Sequence, residues 1–116
     1  MSAVLKSTTK LAGLAVIEKP VQALSIVYRR ILSVVQTMPK ESGYRNHTEK
    51  LINERLAYLE EDPDHRRMET KYKLQMEELI WHAEDELKCA RNMAKYKVWE
   101  PLVKTPSETQ WKWPVV

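Results

Sequence analysis

The stretch PVQALSIVYRRILSVVQTMP, residues 20–39, decides the fold. Val21, Leu24, Tyr28, Ile31, Val35 and Met38 recur at intervals of three and four residues, which draws one continuous apolar stripe along a helix. Pro20 suits the first helical position, where its missing N–H leaves nothing unpaired. Pro39 stops the helix, because the residue before a proline resists the α conformation. Lys40–Gly43 then supplies a turn.

Working outward, a second helix is expected from about Tyr44 to Glu61. Thr48, Leu51, Ile52, Leu56 and Leu59 share a face, and Arg45–Glu49 and Lys50–Glu54 stand at the spacing of surface ion pairs. Asp62-Pro63-Asp64 reads as N-cap, first helical residue and first-turn acid of a third helix. Met68, Tyr72, Met76, Leu79, Ala83, Leu87, Ala90 and Ala94 carry its stripe toward Val98, and Lys88, Arg91, Lys95 and Lys97 suit its C-terminal end. Such a helix would be ~54 Å long against ~27 Å for each of the others. It therefore either overhangs its partners or breaks near Lys73–Met76. The expected fold is all-α: a three-helix antiparallel bundle over residues 20–98, with extended segments at 1–19 and 99–116.

Composition agrees with one small helical unit. The chain has 116 residues, two Gly and no Phe, with 30% charged side chains. The longest apolar run, Leu11–Ile17, is far too short to span a bilayer. The net charge of +3 does not indicate nucleic acid. Residues 63–98 carry eight basic and seven acidic groups, interleaved as on solvated helix faces. A phosphate-tracking stripe needs charge of one sign.

Residues 1–19 contain no acid before Glu18, as in a mitochondrial presequence, but arginines are missing and Gly13 weakens a helix. Those features favour an ordered N-terminal arm over a cleaved leader.

No catalytic constellation emerges. Glu78, His82 and Glu86 share a helix face, yet helix one has no acid between Pro20 and Met38 to complete a bridged metal site. His47 and His65 sit in polar surroundings, and Gly13 and Gly43 stand alone, without a phosphate loop. Cys89 is the only cysteine, which excludes an intrachain disulfide, and no partner base is evident for its thiol. The expectation is a protein without catalytic, cofactor-binding or metal-binding residues.

Helical periodicity ends at Trp99. WEPLVKTPSETQWKWPVV, residues 99–116, holds three prolines and three of the four tryptophans. Prolines so spaced favour an extended chain. Burying the indoles alone does not offset the entropy of ordering these eighteen residues, so the tail needs a long receiving surface. Trp99, Pro101, Leu102, Trp111, Trp113 and Pro114 are the candidate partner-docking residues. In an extended chain Trp111 and Trp113 would project to the same side, with Lys112 opposite.

Several strings resemble one family. They are Val4-Leu5-Lys6, Thr8-Thr9 and Gly13-Leu14-Ala15-Val16 in the arm, then Tyr44-Arg45, Thr48-Glu49, Asn53-Glu54, Leu56-Ala57, Ala83-Glu84 and Glu86-Leu87. The most specific are Trp99-Glu100-Pro101-Leu102-Val103 and Gln110-Trp111-Lys112-Trp113-Pro114 in the tail. The chain resembles the alpha-subcomplex subunit 5 family, small accessory subunits of mitochondrial NADH:ubiquinone oxidoreductase (complex I). The resemblance implies a non-catalytic subunit without a cofactor. It also implies a place on the matrix-facing hydrophilic arm, peripheral to the mitochondrial inner membrane, supporting NADH-to-ubiquinone electron transfer. Its partners would be other complex I subunits, particularly the 30-kDa iron–sulfur-protein subunit, with neither nucleic acid nor a membrane span. A helical binding module in another mitochondrial assembly, such as the ribosome, is the alternative. Two departures stand out: the family has glycines where this chain reads Lys73-Leu74-Gln75, and a threonine where Lys19 precedes the first helix.

Overall fold

Helix α1, Pro20–Val35, forms on the stripe read above, with Pro20 at its start and no side-chain cap from Lys19. Leu24, Tyr28, Ile31, Val35 and Met38 are buried, and Val21 is half-buried. The α-helix stops three residues before Met38. Tight turns, Thr37 N–H to the Val34 carbonyl and Met38 N–H to the Val35 carbonyl, carry the chain to Pro39. The computed structural model describes residues 6–114; Met1–Leu5 of the arm, with the Val4-Leu5 string, and Val115-Val116 of the tail lie outside the described residues.

Helix α2, Gly43–Glu61, is capped by buried Ser42, whose hydroxyl accepts from Arg45 N–H. Thr48, Ile52, Leu56 and Leu59 turn inward, while Leu51 stays exposed at the rim of the stripe. Arg45 Nε meets Glu49 at 2.8 Å and also donates through its guanidinium to the Met38 carbonyl, tying the α1–α2 turn. Lys50 and Glu54 do not pair.

The expected third helix is two helices, so the bundle has four and not three: α3 is His65–Tyr72 and α4 is Met76–Lys95. Asp62 does not cap this segment. The cap is Asp64, whose carboxylate accepts from Arg66 N–H, and Pro63 stays outside the helix. The interruption falls at Lys73-Leu74-Gln75, where no glycine marks it. Lys73 takes the left-handed conformation (φ 56°) that ends α3. Glu69 then reaches forward, and its Oε2 accepts the N–H of Met76, the first residue of α4, at 3.0 Å. The left-handed lysine costs about 1–2 kcal/mol. Burial of Met68 and Met76 and the packing of Leu74 outweigh that cost, since each fully buried apolar side chain contributes about 1.5–3 kcal/mol.

Packing places α1 at the centre, chiefly against α4 and next against α2, while α3 contacts α4. The core joins Leu24, Tyr28 and Ile31 of α1 to Ile52, Leu56 and Leu59 of α2 and to Leu79, Ala83, Leu87 and Ala90 of α4. A Tyr44 hydroxyl–Glu86 carboxylate hydrogen bond ties the start of α2 to α4. Burial and the neighbouring Glu86 charge hold the Tyr44 phenol well above its usual pKa, so it stays a donor. The radius of gyration is 19.0 Å, against about 13 Å for a compact chain of this length. The molecule is elongated, measuring 63 × 32 × 22 Å.

Candidate docking surface

The tail begins where α4 is closed. Val98 N–H donates to the Met93 carbonyl and Lys97 N–H to the Ala94 carbonyl, both at 3.4 Å, with Lys97 left-handed (φ 49°). This pair of bonds is a Schellman motif, and it ends the helix at Lys95, three residues before the expected Val98. The turn directs Trp99 back against the core, where it is half-buried. Of the candidate docking residues, Trp99 alone packs on the bundle.

The others face solvent. Trp111 is 93% and Trp113 89% exposed, and Pro101, Leu102 and Pro114 are exposed as well. The backbone between them is not uniformly extended. Gln110 N–H donates to the Ser107 carbonyl and Lys112 N–H to the Thr109 carbonyl, and Trp111 has φ 66°. These turns interrupt the strand-like alternation expected for Trp111 and Trp113. Trp111, Leu102 and Pro106 line one open hollow; Trp99 and Trp113 do not line it.

The arm supplies a polar cluster that the sequence reading missed. Lys6 Nζ lies 2.6 Å from Glu77 Oε2, 3.0 Å from Glu69 Oε2 and 2.7 Å from Gln75 Oε1. Gln75 Nε2 donates to the Thr9 carbonyl, and Ile17 N–H donates to Glu77 Oε1. Glu77 is only 1% exposed. Lys6 and Glu77 thus form an ion pair whose carboxylate is buried. Burial opposes the Lys6 charge, but Glu77 and Glu69 outweigh it and hold the ammonium above its usual pKa. Burial likewise opposes ionised Glu77, and Lys6 with two backbone N–H donors reverses the balance and lowers that carboxyl. One signal was available: Glu77 follows Met76 directly and precedes Ile80 by three residues, so helical geometry puts an acid beside the buried stripe.

His47 and His82 are exposed, His65 is half-buried, and Cys89 is a half-buried free thiol. Glu86, the third member of the Glu78–His82–Glu86 face, accepts from Tyr44. Among the described residues no group of three or more His, Cys, Asp or Glu side chains is placed to hold a metal, and no helix is long and apolar enough to cross a membrane. Arg67 and Lys71 lie 3.8 Å over the Tyr58 ring and Arg55 lies 4.7 Å over that of Tyr72, which fastens α3 to the end of α2.

Comparison with known proteins gives these features a context. Residues 13–79 match the family described as the ETC complex I subunit conserved region. The chain is 46% identical to NADH dehydrogenase (ubiquinone) 1 alpha subcomplex subunit 5 of Bos taurus, over 99% of this chain and 100% of the relative. It is 43% identical to the protein of the same name in Mus musculus, with the same coverage. The probable counterpart in Caenorhabditis elegans is 41% identical, over 95% of this chain and 74% of the relative. The mammalian alignments include the tail, which lies beyond the matched conserved region.

Proposed function

This chain belongs to the NADH dehydrogenase (ubiquinone) 1 alpha subcomplex subunit 5 family, and on that premise we propose that it docks through its tail on the matrix-facing hydrophilic arm of mitochondrial complex I. It is a non-catalytic accessory subunit of that respiratory complex and not an enzyme. Its role is to support NADH-to-ubiquinone electron transfer by holding the assembly together, peripheral to the inner membrane. The partner in this reading is the 30-kDa iron–sulfur-protein subunit beside the quinone-reducing part.

The observation that carries the reading is the pair of exposed indoles at Trp111 and Trp113, on a segment whose own bundle receives only Trp99. Aromatic anchors of this kind dominate protein interfaces when a partner desolvates them. Blue-native electrophoresis of mitochondria, probed with an antibody to this chain, tests the assignment. Comigration with a large NADH-oxidising complex is expected, and chemical cross-linking should join the tail to the 30-kDa subunit. Comigration with the ribosome would favour the alternative module.

A further inference from the structure

The fourth tryptophan has no part in the tail. Trp81 sits within α4, where Met76, Leu79, Ile80, Ala83, Leu87 and Ala90 form the buried stripe, yet Trp81 falls off that stripe and is 56% exposed. Its indole forms one wall of a hollow of about 320 Å³ between the N-terminal arm and α4. Leu14 and Ile17 of the arm and Ile80 of α4 make the other apolar walls, and the charged residues lining it, Glu77 and Glu84, are both acids. Glu77 is committed to Lys6 and to the Ile17 N–H. Glu84 is exposed and, among the described residues, has no ion-pair partner. It lies three residues after Trp81, hence on the same helix face.

We propose that this hollow receives an arginine side chain from a neighbouring subunit, its guanidinium stacked on Trp81 and paired with Glu84. This rests on the reading that the chain assembles into a larger complex. A guanidinium stacks on an aromatic face and offers a fork to a carboxylate, while its methylene stem suits apolar walls such as Leu14 and Ile17. An acidic insert would meet like charge at Glu84, and a wholly apolar one would strip water from that carboxylate without compensation. The flanking chain of the partner also has a place to lie. A second hollow, sharing Ile17, continues along α1 past Ala23 to the exposed Ile26 and carries one acid and one base, Glu18 and Lys19.

The test uses the assembled complex, in cells where a tagged copy replaces the endogenous chain. Benzoylphenylalanine is installed in place of Trp81, the complex is irradiated, and the adduct is sequenced. Glu84→Gln and Glu84→Arg are compared with wild type for incorporation on blue-native gels. The expected adduct is a peptide of another subunit with an arginine within a few residues of the cross-link. Incorporation should fall in the order wild type, Glu84→Gln, Glu84→Arg, with the reversal costing about tenfold and helical circular dichroism unchanged. An adduct lacking basic residues, no adduct in a comigrating chain, or normal incorporation of Glu84→Arg overturns the proposal while the assembly reading stands. If the photoreactive chain stays out of the complex, the Glu84→Arg result decides. A wild-type chain that never comigrates overturns both.

Discussion

Glu77 is the side chain on which the arm depends, because one buried carboxylate meets the arm twice, at Lys6 Nζ and at Ile17 N–H. Its pKa is held below the ordinary 4.5. The stabilisation it gives is therefore present above the ordinary carboxylate range and is lost as pH falls through the lowered value. Lys6 is raised above 10.5, so its share is present below that pH and lost as pH rises through the raised value. Anchorage of the arm should hold between these limits and fail in acid. Amide hydrogen exchange at Ile17 checks this: its protection should disappear below the carboxylate range before the α1 amides open. Persistence of that protection until global unfolding would contradict the assignment. Core residues act differently, through volume. Ile31 and Leu87 are both buried in the α1–α4 contact. Replacing either with Ala should destabilise the chain by about 2–5 kcal/mol in a urea titration. Losses under about half a kcal/mol at both sites would mean that these stripes do not form the core.

At the scale of elements, two lysines in left-handed geometry end the last two helices, Lys73 after α3 and Lys97 after α4. Lys73 is exposed and, among the described residues, makes no side-chain hydrogen bond. Lys73→Gly should therefore relieve backbone strain and stabilise the chain by about 1 kcal/mol, allowing for the greater freedom glycine has when unfolded. A rise in melting temperature checks it; a fall would mean that the lysine side chain stabilises the break. The tail is the second element with a clear test. Trp99 packs on the core, but residues 100–114 are exposed. A chain cut after Trp99 should retain its helical circular dichroism and fail to enter the complex. The double variant Trp111→Ala with Trp113→Ala should do the same more mildly. Unfolding of the truncated chain would assign the tail to the bundle, and normal incorporation would move docking to the helices or the arm.

For the molecule as a whole, non-catalytic family membership means that its loss should act on assembly rather than chemistry. Depletion should lower the amount of assembled complex, with turnover per remaining intact complex little changed. Activity of the purified complex, normalised to its flavin or iron content, distinguishes the two. Normal amounts of complex with abolished electron transfer would point to a direct part in the reaction. The elongated shape suits an assembly role, since Leu102, Val103, Trp111 and Trp113 of the tail stand exposed to a partner.

Local rules were enough to read α1, the faces of α2 and the stripe of α4 from the chain alone, because helical periodicity and proline geometry act within a few residues. The loss of regular structure after Trp99 was legible for the same reason. The division of the expected third helix was open on length grounds and was decided by tertiary contacts. Glu69 and Gln75 meet Lys6 across 63 and 69 residues of chain, and Glu69 also accepts the Met76 N–H. No residue pattern confined to Lys73-Leu74-Gln75 encodes that clamp. The placement of Trp81 and Glu84 beside the arm was invisible in the same way. A helical period tells which face a residue occupies, while what stands opposite that face depends on where distant segments come to rest.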